Sequence, residues 1–138
     1  VNRDQLKKDL ERDEDRVKLP YEDSVGKISI GVGHNLSDNG LPEHIIDLLL
    51  EWDIAQVEKD LDRAFPWWRE RPESVQRFMA NLCFNLGLDR FRKFKPTLRL
   101  IENKQYKTAA AQFRTNKGYF RQVGARAERL ALLLEHAV

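Results

Sequence analysis

Between Glu14 and Leu36 the chain runs EDRVKLPYEDSVGKISIGVGHNL, and two carboxylates and a hydroxyl stand close together in it: Glu14, Asp23 nine residues on, and Ser29 six residues beyond that. Glu14 extends the spacing set by Leu6 and Leu10, so it is expected on the inward side of a short helix, at the helix end where the dipole is negative. Desolvation and that dipole both disfavour the charged carboxylate. A carboxyl group held protonated in this way can act as a general acid. Asp23 falls in the polar, turn-rich run Tyr21-Glu22-Asp23-Ser24, a solvated setting that suits an anion. Two carboxyl groups whose surroundings differ so are the equipment of a glycosidase: one protonates the leaving oxygen, and the other handles water or the developing positive charge. Spacing alone carries little weight, because such pairs arise freely among 22 acidic residues.

The elements that must position these groups are legible as changes of period. Residues from about Asp4 to Asp13 suit an amphipathic helix. Val17, Leu19 and Tyr21 alternate, Gly26 offers a turn, and Ile28, Ile30 and Val32 alternate again, which is the pattern of a small sheet. If those three face a core, Ser29, Gly31 and Gly33 form the opposite, bare face, where a ligand can approach the backbone. A weak edge strand with turn glycines gives the same pattern. Pro42 opens a long helix in which Ile45, Leu48, Leu49, Trp52 and Val57 recur at helical spacing, ending before Pro66. A further helix runs from near Pro72 to Gly87, another opens at Pro96, and Tyr106–Phe113 and Ala125–His136 are two more. The expected architecture is α+β and mostly α, one domain over residues 1–138. It comprises a β-lobe at about 15–40, a connecting helix at about 42–64 and a helical lobe at about 65–138, with ligand expected in a cleft between lobes.

Composition narrows the class. The chain is 41% hydrophobic and 33% charged. No apolar run approaches the roughly 20 residues of a membrane span, and Val1-Asn2-Arg3-Asp4 opens without the apolar stretch of a secretory signal. The net charge of +2 conceals an asymmetry: residues 1–85 carry 12 Lys/Arg against 18 Asp/Glu, residues 86–138 carry 12 against 4. That basic part suits a polyanion such as nucleic acid, anionic lipid or an acidic cell wall, or is a plain solvated helix surface. The one cysteine, Cys83, lies in the apolar run Phe78–Phe84 with no neighbouring His, as a small core side chain would, and excludes an intramolecular disulfide. No second His or Cys stands at ligand spacing from His34, so no metal and no cofactor are expected. His44 and His136 suit the surface. Trp67-Trp68, just after Pro66, suits a core anchor better than a sugar-stacking platform.

The Glu14–Leu36 segment resembles the signature of the T-even phage lysozyme family, glycoside hydrolase family 24: a Glu after a short helix, a Tyr, an Asp, a hydroxyl residue, Ile-Gly-x-Gly-His and usually Asn-Leu. These stand here as Glu14, Tyr21, Asp23, Ser29, Ile30, Gly31, Gly33, His34, Asn35 and Leu36, with no gap. Downstream, Asp53 occupies the family's Asp position on the connecting helix. Asn81-Leu82-Cys83-Phe84-Asn85-Leu86-Gly87 resembles its core-helix motif, and Gln122–Arg126 with Arg129 its closing segment. Two positions depart from the pattern: Ser29 stands where the family usually has Thr, and Asp15 where it often has Gly.

The resemblance implies a lysozyme-like fold and a muramidase that cuts the β-1,4 bond between N-acetylmuramic acid and N-acetylglucosamine. Glu14 would be the general acid, Asp23 would position water or stabilise positive charge, and Ser29 would help hold that water. Arg126 would approach Glu14; Leu36, Phe84 and Thr97 would line the sugar cleft; His34 would pair with Asp53. It further implies a monomeric endolysin that waits in the host cytoplasm and reaches peptidoglycan in the periplasm once a holin opens the membrane. Stable membrane insertion and a nucleic-acid partner are not expected. A lytic transglycosylase, or a non-catalytic wall-binding module on the same fold, remain the alternatives.

Overall fold

The computed structural model describes all residues, 1–138, as α1 (Arg3–Glu14), β1 (Val17–Glu22), β2 (Ile28–Gly31), β3 (His34–Asn35) and α2 (Leu36–Asn39), followed by α3 (Glu43–Ala64), α4 (Glu73–Leu86), α5 (Leu88–Phe91), α6 (Lys95–Glu102), α7 (Tyr106–Arg114) and α8 (Lys117–Glu135). This is the expected α+β, mostly helical, lysozyme-like composition. The chain forms two compact units, Val1–Leu48 and Leu49–Val138, the boundary falling inside α3.

In the first unit, Asn2 caps α1 by accepting from the Gln5 amide at 3.1 Å, satisfying one of the amides that a helix start leaves free. The three strands form an antiparallel sheet with β2 in the centre, Tyr21 and Asn35 flanking Ser29. Pro20 has no amide to offer the ladder, and β1, an edge strand, loses its register between Val17 and Tyr21, a span that contains that proline. Gly26 makes the β1–β2 turn at φ +82°, and its amide bonds to Asp23 O at 3.1 Å. Gly31-Val32-Gly33 forms the loop between the paired residues Ile30 and His34, with φ +71° and +65° at its glycines. The expected strand through Val32 therefore stops at Gly31, because two left-handed glycines turn the chain.

The alternation assigned the wrong face. Ser29 is the buried position of β2, at 4% exposure, while Ile28 is 41% exposed. A serine on the central strand has neighbours on both sides, and α2 folds back onto β2 with Ser37 Oγ accepting from the Ile28 amide at 2.8 Å. In so small a unit, strand position decides burial more than apolarity does.

The second unit holds the core. Phe78, Met79 and Leu82 of α4, Phe91 of α5, Ile101 of α6, Phe113 of α7 and Leu130 and Leu134 of α8 are sealed from solvent. Phe78 meets Phe113 edge-on at 5.0 Å, the geometry that ring quadrupoles prefer. α4 ends at Gly87, whose amide bonds to Cys83 O at 2.8 Å and whose φ is +81°, as the left-handed residue after a helix. Trp68 is buried, its indole N–H donating to Asp62 at 2.7 Å, and the Arg71 guanidinium lies over the Trp67 ring, so this pair anchors the core. The last helix begins earlier than the Ala125 expected from sequence. Val123 departs from helical geometry (φ −137°, ψ 47°), so α8 is two segments joined at a kink.

Asp15, the residue after α1, adopts φ 62°, ψ 170°, a region that is essentially glycine's own. Asp15→Gly should remove strain of about 1 kcal/mol or more and raise Tm by roughly 3 °C. Thermal unfolding of the two proteins side by side checks this, and an unchanged or lower Tm contradicts it.

Candidate active site

Glu14, the last residue of α1, is exposed, and α1 buries no residue. The expected desolvation of this carboxyl is therefore not what defines its setting. What it meets is backbone: a Cβ placed on Gly33 would lie 3.0 Å from Glu14 Oε2, 3.2 Å from Cδ and 3.3 Å from Cγ. The end of the side chain thus rests on the β2–β3 loop at a point with no side chain of its own. Within its own unit no cation pairs with Glu14, whose neighbours' ion pairs are Arg12 with Asp9 and Asp13, Arg16 with Glu11, and Lys27 with Asp38.

Asp23 is held differently. Its Oδ1 accepts from the Val25 amide at 3.0 Å and from the Lys27 amide at 2.8 Å, while its own amide donates to Lys27 O at 2.8 Å. A short Asp side chain that closes a turn on itself suits this position. Oδ2 takes no donor from the protein, which leaves one fixed and unengaged carboxylate oxygen. Ser29 stands on the central strand, register-paired with Tyr21 at the edge of the same hairpin. Leu36, half-buried, starts α2, and His34 Nε2 lies 2.6 Å from Gly40 O, a contact that ties β3 to the end of α2.

In the second unit, Phe84 and Arg126 come together. They line a cavity of about 410 Å³ with Leu50, Ile54, Asn81 and Leu133. Arg126 donates from Nε and Nη2 to Asn81 Oδ1 at 3.1 and 2.7 Å, so a planar fork is aimed by one amide. Arg77 lines this cavity as well, and an adjoining cavity of about 510 Å³ shares Arg77 and adds Arg129. Tyr119 donates to Asn85 Oδ1 at 2.9 Å; burial raises the Tyr119 phenol above its ordinary value, and the Arg126 charge partly offsets this. Asn81 and Asn85 were quoted in the core-helix motif without a role, and their i, i+4 spacing on one face of α4 is the signal that could have found them. Thr97 is buried on α6 at 3% exposure, away from Phe84's cavity lining, and Asp53 lies exposed on α3. No group of three His, Cys, Asp or Glu side chains has the arrangement of a metal site.

Cys83 is 2% exposed, and burial, with Asp60's charge adding, pushes its thiol up to about 11. A nucleophile needs the thiolate, so the native protein should react with a thiol reagent at pH 8 at least about 100-fold more slowly than the unfolded protein; equal rates would contradict the burial.

The Asp23 turn supports a second test. Asp23→Asn keeps an acceptor oxygen for both amides and should leave Tm nearly unchanged, whereas Asp23→Ala should cost about 1 kcal/mol by orphaning them. Thermal unfolding of both variants decides it, and equal losses would contradict the turn's dependence on Oδ1.

One family, described as phage lysozyme, matches residues 11–129 of the chain. No curated protein matches it. The matched span contains Glu14 and its glycine seat, the Asp23 turn, Ser29, and the Asn81–Arg126 pair. With that match extending over most of the sequence, the chain belongs to the phage lysozyme family, whose members are endolysins that hydrolyse peptidoglycan.

Proposed function

We propose that this lysozyme hydrolyses the β-1,4 bond between N-acetylmuramic acid and N-acetylglucosamine, with Glu14 as general acid and Asp23 as the residue that positions water. The observation that carries this is the pairing of a free acid with a fixed anion in one small unit. Glu14 is exposed, unpaired and supported by bare backbone, while Asp23 has one oxygen locked by two amides and the other left open.

In this mechanism Glu14, as the carboxylic acid, gives its proton to the glycosidic oxygen, and the bond from muramic C1 to that oxygen breaks. Water held by Asp23 and the Ser29 hydroxyl attacks C1 from the opposite face, and Asp23 takes the proton it releases. The products are a reducing muramic end of inverted configuration and a free 4-hydroxyl. Both carboxyl groups then return to their starting states by proton exchange with solvent. Inversion requires room for water between the carboxyls, roughly 6.5–9.5 Å. Serine in place of the usual threonine keeps the hydroxyl and loses the methyl group that restricts its rotamer, so activity is expected to persist at a reduced rate.

Phe84 and Arg126 are the parts of the second unit we assign to substrate, the ring as an apolar wall and the guanidinium as a donor; Leu36 is a further proposed sugar contact, whereas Thr97, expected to line the cleft, is too buried to meet a sugar and is not assigned to it. No helix is long and apolar enough to cross a membrane. We further propose that the protein is a monomer, waits in the host cytoplasm and reaches the periplasmic wall through a holin-opened membrane.

Reducing-end release from purified sacculi tests the mechanism. Glu14→Gln should lower the rate by at least about 100-fold, and Asp23→Asn should do so while keeping its fold. Anhydro-muramic ends in place of reducing ends would assign a lytic transglycosylase. Full activity in Glu14→Gln would remove Glu14 from the chemistry.

A further inference from the structure

Four glycines of the first unit, Gly26, Gly31, Gly33 and Gly40, share a left-handed φ yet differ in what stands beside them. A Cβ on Gly31 (φ +71°) or on Gly40 (φ +58°) would meet nothing within 4 Å, whereas one on Gly33 (φ +65°) would crowd Oε2, Cδ and Cγ of Glu14 at 3.0–3.3 Å. Cγ and Cδ are among those atoms, so turning the carboxylate about its last bond does not clear an added methyl. The Glu14 carboxyl must translate by a few tenths of an ångström.

We propose that Gly33 is a positioning residue for catalysis: its missing side chain is the seat that fixes where the Glu14 carboxyl stands. This rests on Glu14 as the general acid. Within its unit Glu14 is exposed and takes no side-chain hydrogen bond, so nothing else there restrains an end group with several free torsions. Contact with the loop backbone substitutes for the hydrogen bonds that orient an acid elsewhere. The sequence pattern Gly-Val-Gly then has two separate physical purposes. Both glycines supply the left-handed turn, and only the second must also be bare towards the helix.

Misplacing a reacting group by about 1 Å can cost 100-fold in rate, and a few tenths of that accordingly about tenfold. The experiment compares Gly33→Ala, Gly33→Asn and Gly40→Ala. Alanine at 33 or at 40 is penalised by the positive φ of each, while asparagine tolerates a positive φ better and still brings a Cβ. Steady-state release of reducing ends from solubilised glycan fragments gives kcat and KM, and thermal unfolding gives Tm. Both Gly33 variants should show kcat about tenfold lower with KM within about twofold, since the acid acts in the transition state. Gly40→Ala should lose Tm, because its φ is also positive, and keep its kcat. In a Glu14→Gln background Gly33→Ala should have no further effect. Equal kcat for Gly33→Asn and wild type, or equal losses at 33 and 40, overturns the seat while an inactive Glu14→Gln leaves the acid in place. An active Glu14→Gln protein overturns the acid itself, and the seat with it.

Discussion

The contact between the end of Glu14 and the bare backbone at Gly33 is the constraint around which the first unit is built. It requires that α1 stop at Glu14, that the chain turn away at once, and that the β2–β3 loop come back beneath the carboxyl. Each requirement has its own cause in the residues. Asp15 turns the chain in a left-handed conformation directly after the helix. The sheet that carries the loop is held in register through Ser29, paired on one side with Tyr21 and on the other with Asn35. The loop closes on two left-handed glycines. Asp23 belongs to the same arrangement by a different device, since its carboxylate is the cap of the turn that joins β1 to β2.

The second unit divides these tasks differently. The sealed apolar residues lie there, with Phe78 of α4 and Phe120 of α8 each meeting Phe113 of α7 edge to face, and Phe91 of α5 meeting Phe65, which follows α3, in the same way. Large buried rings make the positions of α4 and α8 costly to change. That rigidity lets one amide, Asn81 on α4, aim one guanidinium, Arg126 on α8. Most of the apolar core therefore sits apart from the proposed acid. The small unit has the unpaired acid and the strained backbone, and the large one supplies packing and a fixed cation.

Helix placement was legible in the sequence wherever proline or glycine punctuated an apolar period. Pro42, Pro66, Pro72, Gly87 and Pro96 bracket α3, α4 and α6 within a residue or two. The kink at Val123 was not legible, because a merged helix keeps a continuous helical period on both sides of a single non-helical residue. The face of β2 was assigned the wrong way round. Alternation of Ile28 and Ile30 with Ser29 is informative only when a large core is present to reward the apolar face, and here the central position outweighed it. The candidate acid was found by its place at a helix end, yet the reason given for it, an inward and desolvated side chain, is not the one the structure offers. A contact made by the absence of an atom leaves no hydrophobic or charge pattern to detect. Only the two glycines beside a hydroxyl hinted at it.

The strained link at Asp15 follows from the same geometry. A helix whose last residue is the acid cannot continue for another turn without carrying the chain past the sheet, so the residue after it must reverse direction, and a left-handed conformation does this in one step. Glycine would adopt it freely; an aspartate at φ 62°, ψ 170° does so at a cost of about 1–3 kcal/mol. A small unit whose helix buries nothing has few contacts with which to offset that strain. A backbone conformation kept at such a cost is one that a proposed acid at the helix end would require, set by where the carboxyl must stand rather than by what is most stable.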